Sequence, residues 1–320
     1  MPHRSRLARL LQFTCGLQLG VAGAWLALWW AASPAWALAG AILVLGIAPL
    51  ILGVELLIVA RIARTDRDTP WPRAWQLLQA WISESGHWYR TFCWRQPFRW
   101  RAEGDMLADC RGRQGVVLVH GFMCNRGFWT PWLRRLHAAG HACEAVNLEP
   151  VFTGIDDYAA LLEAAVARVR AATGRPPILV CHSMGGLAAR AWLRSRPTAA
   201  REVAHLVTIG TPHHGTWLAR FSRRPNGLQM RLDSDWLRAL ESHERWHPLP
   251  PTTAWYSNCD NVVFPPVTAT LAAADNRFVP GRAHVDLAFH PEVMDGTLAL
   301  VDAAARRQGD FVTKSSVEIG

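Results

Sequence analysis

Lysine is almost absent: of 34 lysine and arginine residues in a chain of 320, only Lys314 is a lysine, so the net charge of +9 is carried by arginine. The arginines are scattered rather than gathered into a run, and no recognition motif accompanies them. That argues against nucleic-acid binding and fits a basic surface beside anionic headgroups. Regular cysteine spacing is also missing. Cys15, Cys93, Cys110, Cys124, Cys143, Cys181 and Cys259 are odd in number and contain no CxxC pair. This argues against a zinc cluster or a disulfide framework and suits a reducing compartment. His213 and His214 are adjacent but have no further ligand cluster, so neither a metal nor a cofactor is expected. There is no internal repeat or low-complexity block, apart from a polar tail over 308–320.

Charge is absent altogether from Leu10 to Val54, and Ser33-Pro34 divides this stretch into two apolar runs, about 10–32 and 35–60. Each is long enough to cross a hydrocarbon core as a helix of roughly 20 residues. Trp25, Trp29, Trp30 and Trp36 cluster near the dividing turn, where amphipathic rings sit at a membrane interface. The expectation is a membrane hairpin over residues 1–68. Arg4, Arg6 and Arg9 precede the first span, and Arg61, Arg64 and Arg67 follow the second. The positive-inside tendency then puts both ends in the cytoplasm, giving a multi-pass inner-membrane protein with its remainder on the cytoplasmic side. A secretory signal ending at Ala35-Trp36-Ala37 is the alternative, but its apolar region exceeds the usual ~7 to 15 residues and a second apolar run follows. Glu55 lies close to the basic flank at Arg61 and reads as reaching the interface.

Residues 69–112 form a connecting segment dense in tryptophan: Trp71, Trp75, Trp81, Trp88, Trp94 and Trp100. Trp71, Trp75, Leu78 and Ile82 recur at helical spacing, with Arg73, Gln76, Gln79 and Glu84 on other faces and Thr69-Pro70 as a cap. Two readings stand side by side: a helix lying on a bilayer, or a stripe packed on the following domain as core.

From 113 to 307 the pattern becomes alternating strands and helices. Apolar strands at 115–120, 142–148, 178–181 and 204–209 are separated by helices at 126–139, 155–172 and from the serine to Arg196. Asp156 and Asp157 stand in the first turn of the 155–172 helix, where negative charge suits the helix dipole. Continuous apolar strands in strand-helix alternation predict an α/β domain with a mostly parallel sheet covered on both faces.

Within that pattern, Ile178-Leu-Val-Cys181-His-Ser183-Met184-Gly-Gly186 is an apolar run ending in a serine flanked by small residues, the form of a nucleophile elbow. Cys181 stands where the first glycine of Gly-x-Ser-x-Gly is usual. A serine needs a base, itself oriented by an acid. His120, His182, His205, His213 and His214 precede any acid emerging from the later strands, whereas Asp260 follows the strand-like Thr253–Asn258, and His284 follows the loop Pro280–Ala283. His290 is the alternative base, but it precedes Pro291 and reads as entering the last helix. Asp275 and Asp286 crowd the strand and the histidine, and Asp233 and Asp235 fall in a polar insertion. The catalytic expectation is therefore Ser183, Asp260 and His284. The N–H groups of Phe122, in the loop after the first strand, and Met184, after the serine, would form the oxyanion hole. His120 is expected to hold that loop by a hydrogen bond.

Together, His120-Gly121-Phe122, Cys181–Gly186, Thr208-Ile-Gly-Thr211-Pro-His213-His-Gly215, Asp260-Asn-Val-Val263 and His284-Val-Asp-Leu287 resemble the bacterial lipase and esterase group of the α/β-hydrolase superfamily. The resemblance covers about 113–307. It implies ester hydrolysis through an acyl-enzyme, and the membrane hairpin with the lid candidate, both placing the site near lipid, points to apolar carboxylic esters, a glycerolipid among them. The resemblance also implies a cap or lid at about 216–251, where Trp217, Leu218, Phe221, Leu228, Met230, Leu232, Trp236, Leu237 and Leu240 supply an apolar surface that could equally pack on the core. An acyltransferase with the same triad, or a non-catalytic membrane scaffold, are the alternatives.

Overall fold

The computed structural model describes residues 5–196 and 198–317, with side chains as far as residue 306. Arg4, which the sequence assigns to the basic flank, and the last residues of the polar tail lie outside the described residues. The backbone of 308–317 continues the terminal helix instead of starting a separate tail.

Six strands form one sheet: β1 (Gly115–Val119), β2 (Ala142–Ala145), β3 (Ile178–His182), β4 (His205–Ile209), β5 (Thr252–Tyr256) and β6 (Asp275–Phe278). Their order is β2-β1-β3-β4-β5-β6, and every neighbouring pair is parallel. β1 is Gly-Val-Val-Leu-Val and is buried throughout, as a strand covered on both faces must be. The order of strands reverses between β1 and β3, and the crevice at the carboxyl ends of strands there is where open α/β sheets bind ligands.

Helices follow in chain order: α1 (Arg6–Trp29), α2 (Pro34–Leu45), α3 (Ile47–Ile62), α4 (Ala74–Trp88), α5 (Gln96–Phe98), α6 (Thr130–Ala138), α7 (Ala159–Thr173), α8 (Met184–Ser195), α9 (Pro225–Gln229), α10 (Asp235–Glu244), α11 (His284–Phe289) and α12 (Pro291–Val317). α7, α8 and α10 build one apolar core against one face of the sheet, around Leu162, Val166, Leu187 and Trp192. α6, α11 and α12 build the other, around Trp129, Trp132, Leu287 and Val301. The expected helix over 126–139 and the first turn of that over 155–172 begin as short 3-10 turns.

The N-terminal region holds one clear span among the described residues where two were expected. α1 is one helix of 24 residues, capped by Ser5, whose Oγ accepts the Ala8 N–H at 3.1 Å. It is long and apolar enough to cross a bilayer, a property shared with signal sequences. The second apolar run is broken into α2 and α3, bent by 57°. The cause is local: Pro49 has no N–H to offer the carbonyl of Leu45, so the i→i−4 ladder fails there. Tyr89 Oη and Gln18 Nε2 donate to the Leu45 carbonyl instead, at 2.5 and 3.5 Å.

α4 is inside out. Gln76, Ala80 and Glu84 face inward, while Trp71, Trp75, Leu78 and Ile82 are each more than half exposed. The core reading of that stripe does not hold. The helix also starts later than Thr69-Pro70: Gln76 Oε1 accepts the Arg73 N–H at 2.8 Å, and the Asp66 carboxylate takes the Asp68 and Thr69 N–H groups.

Candidate active site

The residue after β3 is Ser183, with φ 56° and ψ −130°. A positive φ is uncommon away from glycine and marks imposed strain; here it turns the chain from strand directly into α8. Ser183 N–H donates to Ile209 O at 2.9 Å, tying the turn to the end of β4. The loop after β1 passes so close that a methyl on Gly121 would stand 2.6 Å from Ser183 Cβ and 3.1 Å from its Oγ, so only glycine fits. The adjacent Phe122 is exposed and packs edge-on against Phe152, ring centroids 5.8 Å apart. Met184 is the first residue of α8, and its N–H is one of those that a helix leaves unpaired at its start.

Asp260 and His284 meet beside this turn. His284 Nδ1 lies 3.0 and 2.9 Å from the two carboxylate oxygens of Asp260, and Asp260 Oδ1 also accepts the Val262 and Val263 N–H groups at 2.9 and 2.8 Å. Nδ1 is thus committed to the acid, leaving Nε2 as the nitrogen available for proton transfer. Gly210, at φ 55°, separates the pair from β4: a side chain there would meet Asp260 Oδ2 at 2.9 Å and His284 Nδ1 at 3.2 Å. Ser183, Asp260 and His284 are all buried. Burial pushes the His284 pKa down, but the charge and hydrogen bond of Asp260, helped by the charges of Glu84 and Glu55, outweigh it and leave the imidazole above its usual 6.5.

Residues 154–268, a stretch that contains Ser183 and Asp260, match the model of the PGAP1-like alpha/beta domain. Among solved structures, the mature form of Bacillus licheniformis lipase BlEst2 superposes with a TM-score of 0.54 at 18% identity, covering 61% of this chain and 95% of that one. The chain has the α/β-hydrolase fold. The propeptide form of the same lipase gives a TM-score of 0.50 at 20% identity over 57% of this chain and 49% of that one. Aspergillus fumigatus lipase B gives 0.47 at 22% identity over 52% and 45%. At 18 and 20% identity, the likeness to the two forms of BlEst2 is one of fold. No curated protein sequence matches the chain.

Within the α/β-hydrolase fold the other histidines have places of their own. His120 Nδ1 donates to Gly121 O at 2.9 Å, and its Nε2 accepts the Leu148 N–H at 3.1 Å, so it holds the β1 loop. Burial lowers its pKa to about 4, which keeps it neutral. His182 lies between Phe128 and His284, 4.5 Å from each ring, and Nε2 donates to His284 O at 3.1 Å. His213 is buried against Arg190, whose Nη1 donates to His213 O at 2.9 Å while its guanidinium pairs with Glu244 at 2.8 Å. The Thr211–Gly215 run therefore binds β4 to α8 and α10. His290 caps the end of α11, and Asp286 pairs with Arg282 and His87 rather than with His284. Cys181 fills the first-glycine position as a buried core residue, and burial raises its thiol pKa far above 9, so it is inert as a nucleophile.

The insertion 216–251 divides between the two readings of its apolar residues. Leu237 and Leu240 on α10 are core, whereas Phe221, Leu228 and Leu232 are exposed. α9 reaches the site: Asn226 Nδ2 donates to Val151 O at 2.8 Å and contacts Met184 Sδ at 3.8 Å, and Arg224 stacks over Phe152.

Sequence reasoning missed a second set of polar residues. Asn261 Oδ1 accepts the His284 N–H at 3.1 Å, and its Nδ2 donates to Glu55 on α3 at 2.7 Å. Asn258 binds Gly281 N and Pro70 O, and Asp66 accepts the Val267 N–H. Glu84 on α4 is buried and accepts the N–H groups of Val285 at 3.0 Å and Asp286 at 2.8 Å. The signals were the line Gln76-Ala80-Glu84 at four-residue spacing and the Ser257-Asn258…Asn261 cluster around Asp260.

Burial raises the Glu84 pKa from 4.5 to about 7, although its backbone hydrogen bonds oppose the shift. A raised folded-state pKa means that the folded protein holds the proton more tightly. The contribution of Glu84 to stability is therefore full below pH 4.5 and is lost as pH rises to about 7, a loss of about 3 kcal/mol. Glu84→Gln removes this titration. Its melting temperature relative to wild type is expected to climb between pH 4.5 and 7.5 and then level off; a difference independent of pH would refute the assignment.

Proposed function

We propose that this protein is a membrane-anchored serine ester hydrolase acting on apolar carboxylic esters, with Ser183 as nucleophile, His284 as base and Asp260 as the acid that orients it. The observation that carries this reading is the buried Asp260–His284 pair beside a serine at φ 56° on the β3–α8 turn. His284 Nε2 takes the Ser183 proton as Oγ attacks the ester carbonyl. The N–H groups of Phe122 and Met184 receive the oxyanion, as preorganised donors do where charge develops. His284 then returns the proton to the leaving alkoxide, and water activated by the same nitrogen releases the acid from the acyl-enzyme.

Several features support action at lipid. α1 and the bent pair α2–α3 expose Phe13, Leu17, Leu28, Ile42, Leu57 and other apolar residues on their outer faces, and Trp71 with the outward stripe Trp75, Leu78 and Ile82 of α4 adds to them. Arg6 and Arg9 in the first turn of α1, with Arg61, Arg64 and Arg67 at the end of the pair, favour a cytoplasmic, anionic surface. Exposed Phe221 and Leu228 beside the site suit a lid over 216–251 that opens toward an acyl chain.

A fluorophosphonate probe is expected to form one adduct, on Ser183. Turnover of long-chain p-nitrophenyl esters is expected to rise when anionic vesicles are added. An adduct on another serine overturns the reading of the nucleophile, and equal turnover with and without vesicles overturns interfacial action. Because the His284 pKa is raised and the base must be neutral, the acid limb of kcat/KM is expected above pH 6.5.

A further inference from the structure

The first turn of α11 is held entirely from outside its own helix. Its first residue, His284, gives its N–H to Asn261 Oδ1, and the next two, Val285 and Asp286, give theirs to the Glu84 carboxylate. These are the donors that any helix leaves unpaired at its start, and an anionic acceptor there also opposes the positive end of the helix dipole. Asn261 is in turn fixed by Glu55, whose carboxylate accepts its Nδ2–H at 2.7 Å. Glu84 belongs to α4 and Glu55 to α3, so both carboxylates come from the N-terminal region. Two buried or half-buried acids beside a third, Asp260, are costly to keep unless they perform a task.

We propose that Glu55 and Glu84 are positioning residues for His284, so that the N-terminal region completes the active site rather than merely tethering it. The proposal rests on the triad reading above. Glu84 fixes where α11 begins and hence where the imidazole stands. Glu55 fixes Asn261, next to Asp260, and through it the His284 backbone. The charged and titratable groups facing His284 are Asp260 from the β5 loop, His182 from β3, Glu84 from α4 and Glu55 from α3; farther along α11, Asp286 lies 3.5 Å from the Arg282 guanidinium and 3.4 Å from His87. The carboxylates of Glu84 and Glu55 both favour the imidazolium, so losing either lowers the pH at which His284 becomes neutral.

The test uses the full chain in lipid nanodiscs, a p-nitrophenyl ester, and the variants Glu84→Gln, Glu55→Ala and Ser183→Ala. Glu84→Gln is expected to lower kcat by roughly 10- to 100-fold through misplacement of the base, with KM within about twofold. The acid limb of kcat/KM should move to lower pH, and the protein should melt no earlier than wild type at pH 8. Glu55→Ala is expected to lower kcat about 10-fold and to move the limb in the same direction. A purely structural role predicts poorer folding but wild-type kcat and an unshifted limb in the folded fraction, and that result overturns the proposal. If Glu84→Gln does not fold, the limb and kcat of Glu55→Ala decide. Wild-type activity in Ser183→Ala would instead overturn the triad, a failure distinct from that of the two carboxylates.

Discussion

Ser183→Ala is expected to reduce ester turnover by at least about 10⁴-fold while leaving the melting temperature within a degree or two of wild type. The side chain is small, and the elbow is held by the Ser183 N–H on Ile209 O and by the fit of Gly121 against it. Alanine keeps both. It also relieves none of the backbone strain, because φ remains 56° for any residue at this position. What is removed is the only hydroxyl on the turn facing the β1 loop. Any remaining turnover then comes from Phe122 and Met184 polarising the ester for attack by water, which accounts for a residual rate above the uncatalysed one. Initial rates on p-nitrophenyl butyrate, with protein matched by melting curve, measure this directly. A variant retaining more than about a tenth of wild-type kcat/KM would remove Ser183 from the mechanism.

The parts of this site legible in the sequence were those governed by local rules. Ile178–Cys181 and Gly115–Val119 are continuous apolar runs too short for helices, so their burial as parallel strands followed from composition. The elbow was visible because Ser183 sits between such a run and Met184-Gly-Gly186. Asp260 and His284 were singled out by chain order together with their places after strand-like segments, with Asp275, Asp286 and His290 set aside on position. What was not legible is what depends on knowing which side is inside. The period of α4 separates Trp75, Leu78 and Ile82 from Gln76, Ala80 and Glu84, but periodicity cannot say which face is turned to the protein. In an ordinary domain the apolar face turns in. Here the polar face carries a carboxylate for the α11 backbone, and the apolar face is left outside. Glu55 was read as an interfacial residue for the same reason: its partner, Asn261, is 206 positions away. The bend between α2 and α3 was missed because apolar content was weighed above the effect of Pro49 on the carbonyl of Leu45.

That inversion changes the meaning of the N-terminal region. A detachable anchor would touch the catalytic domain through a linker, yet here the ties are distributed: Ser5 Oγ donates to Glu149 at 2.7 Å, and the carboxylates of Glu55, Asp66 and Glu84 and the carbonyl of Pro70 accept hydrogen bonds from the two segments that carry Asp260 and His284. The same helices that expose apolar stripes outward deliver polar groups inward. If those stripes lie in lipid, the orientation of α3 and α4 at the bilayer and the placement of the base are coupled through two hydrogen-bonded side chains, with no intervening flexible segment among the described residues.

Asp260→Asn is the second large effect, expected to lower kcat by roughly 10⁴-fold with little change in KM or folding. The geometry decides how the new amide lies. Asp260 Oδ1 accepts two backbone N–H groups, from Val262 and Val263, at 2.9 and 2.8 Å, and an amide nitrogen cannot replace it there. The asparagine oxygen therefore keeps the backbone, and its NH₂ takes the place of Oδ2, which faces His284 Nδ1 at 2.9 Å. A donor in that position obliges Nδ1 to accept, which puts the imidazole proton on Nε2. His284 then presents an N–H to Ser183 where it should present a lone pair, and cannot take the proton. The loss of the Asp260 charge and hydrogen bond also removes the main influences that raise the His284 pKa against burial, so the acid limb should move to lower pH together with the fall in kcat. Measured side by side, Asp260→Asn separates orientation from bulk stability, because its backbone hydrogen bonds survive. A loss of less than about tenfold, or an acid limb left in place, would show that another group orients His284.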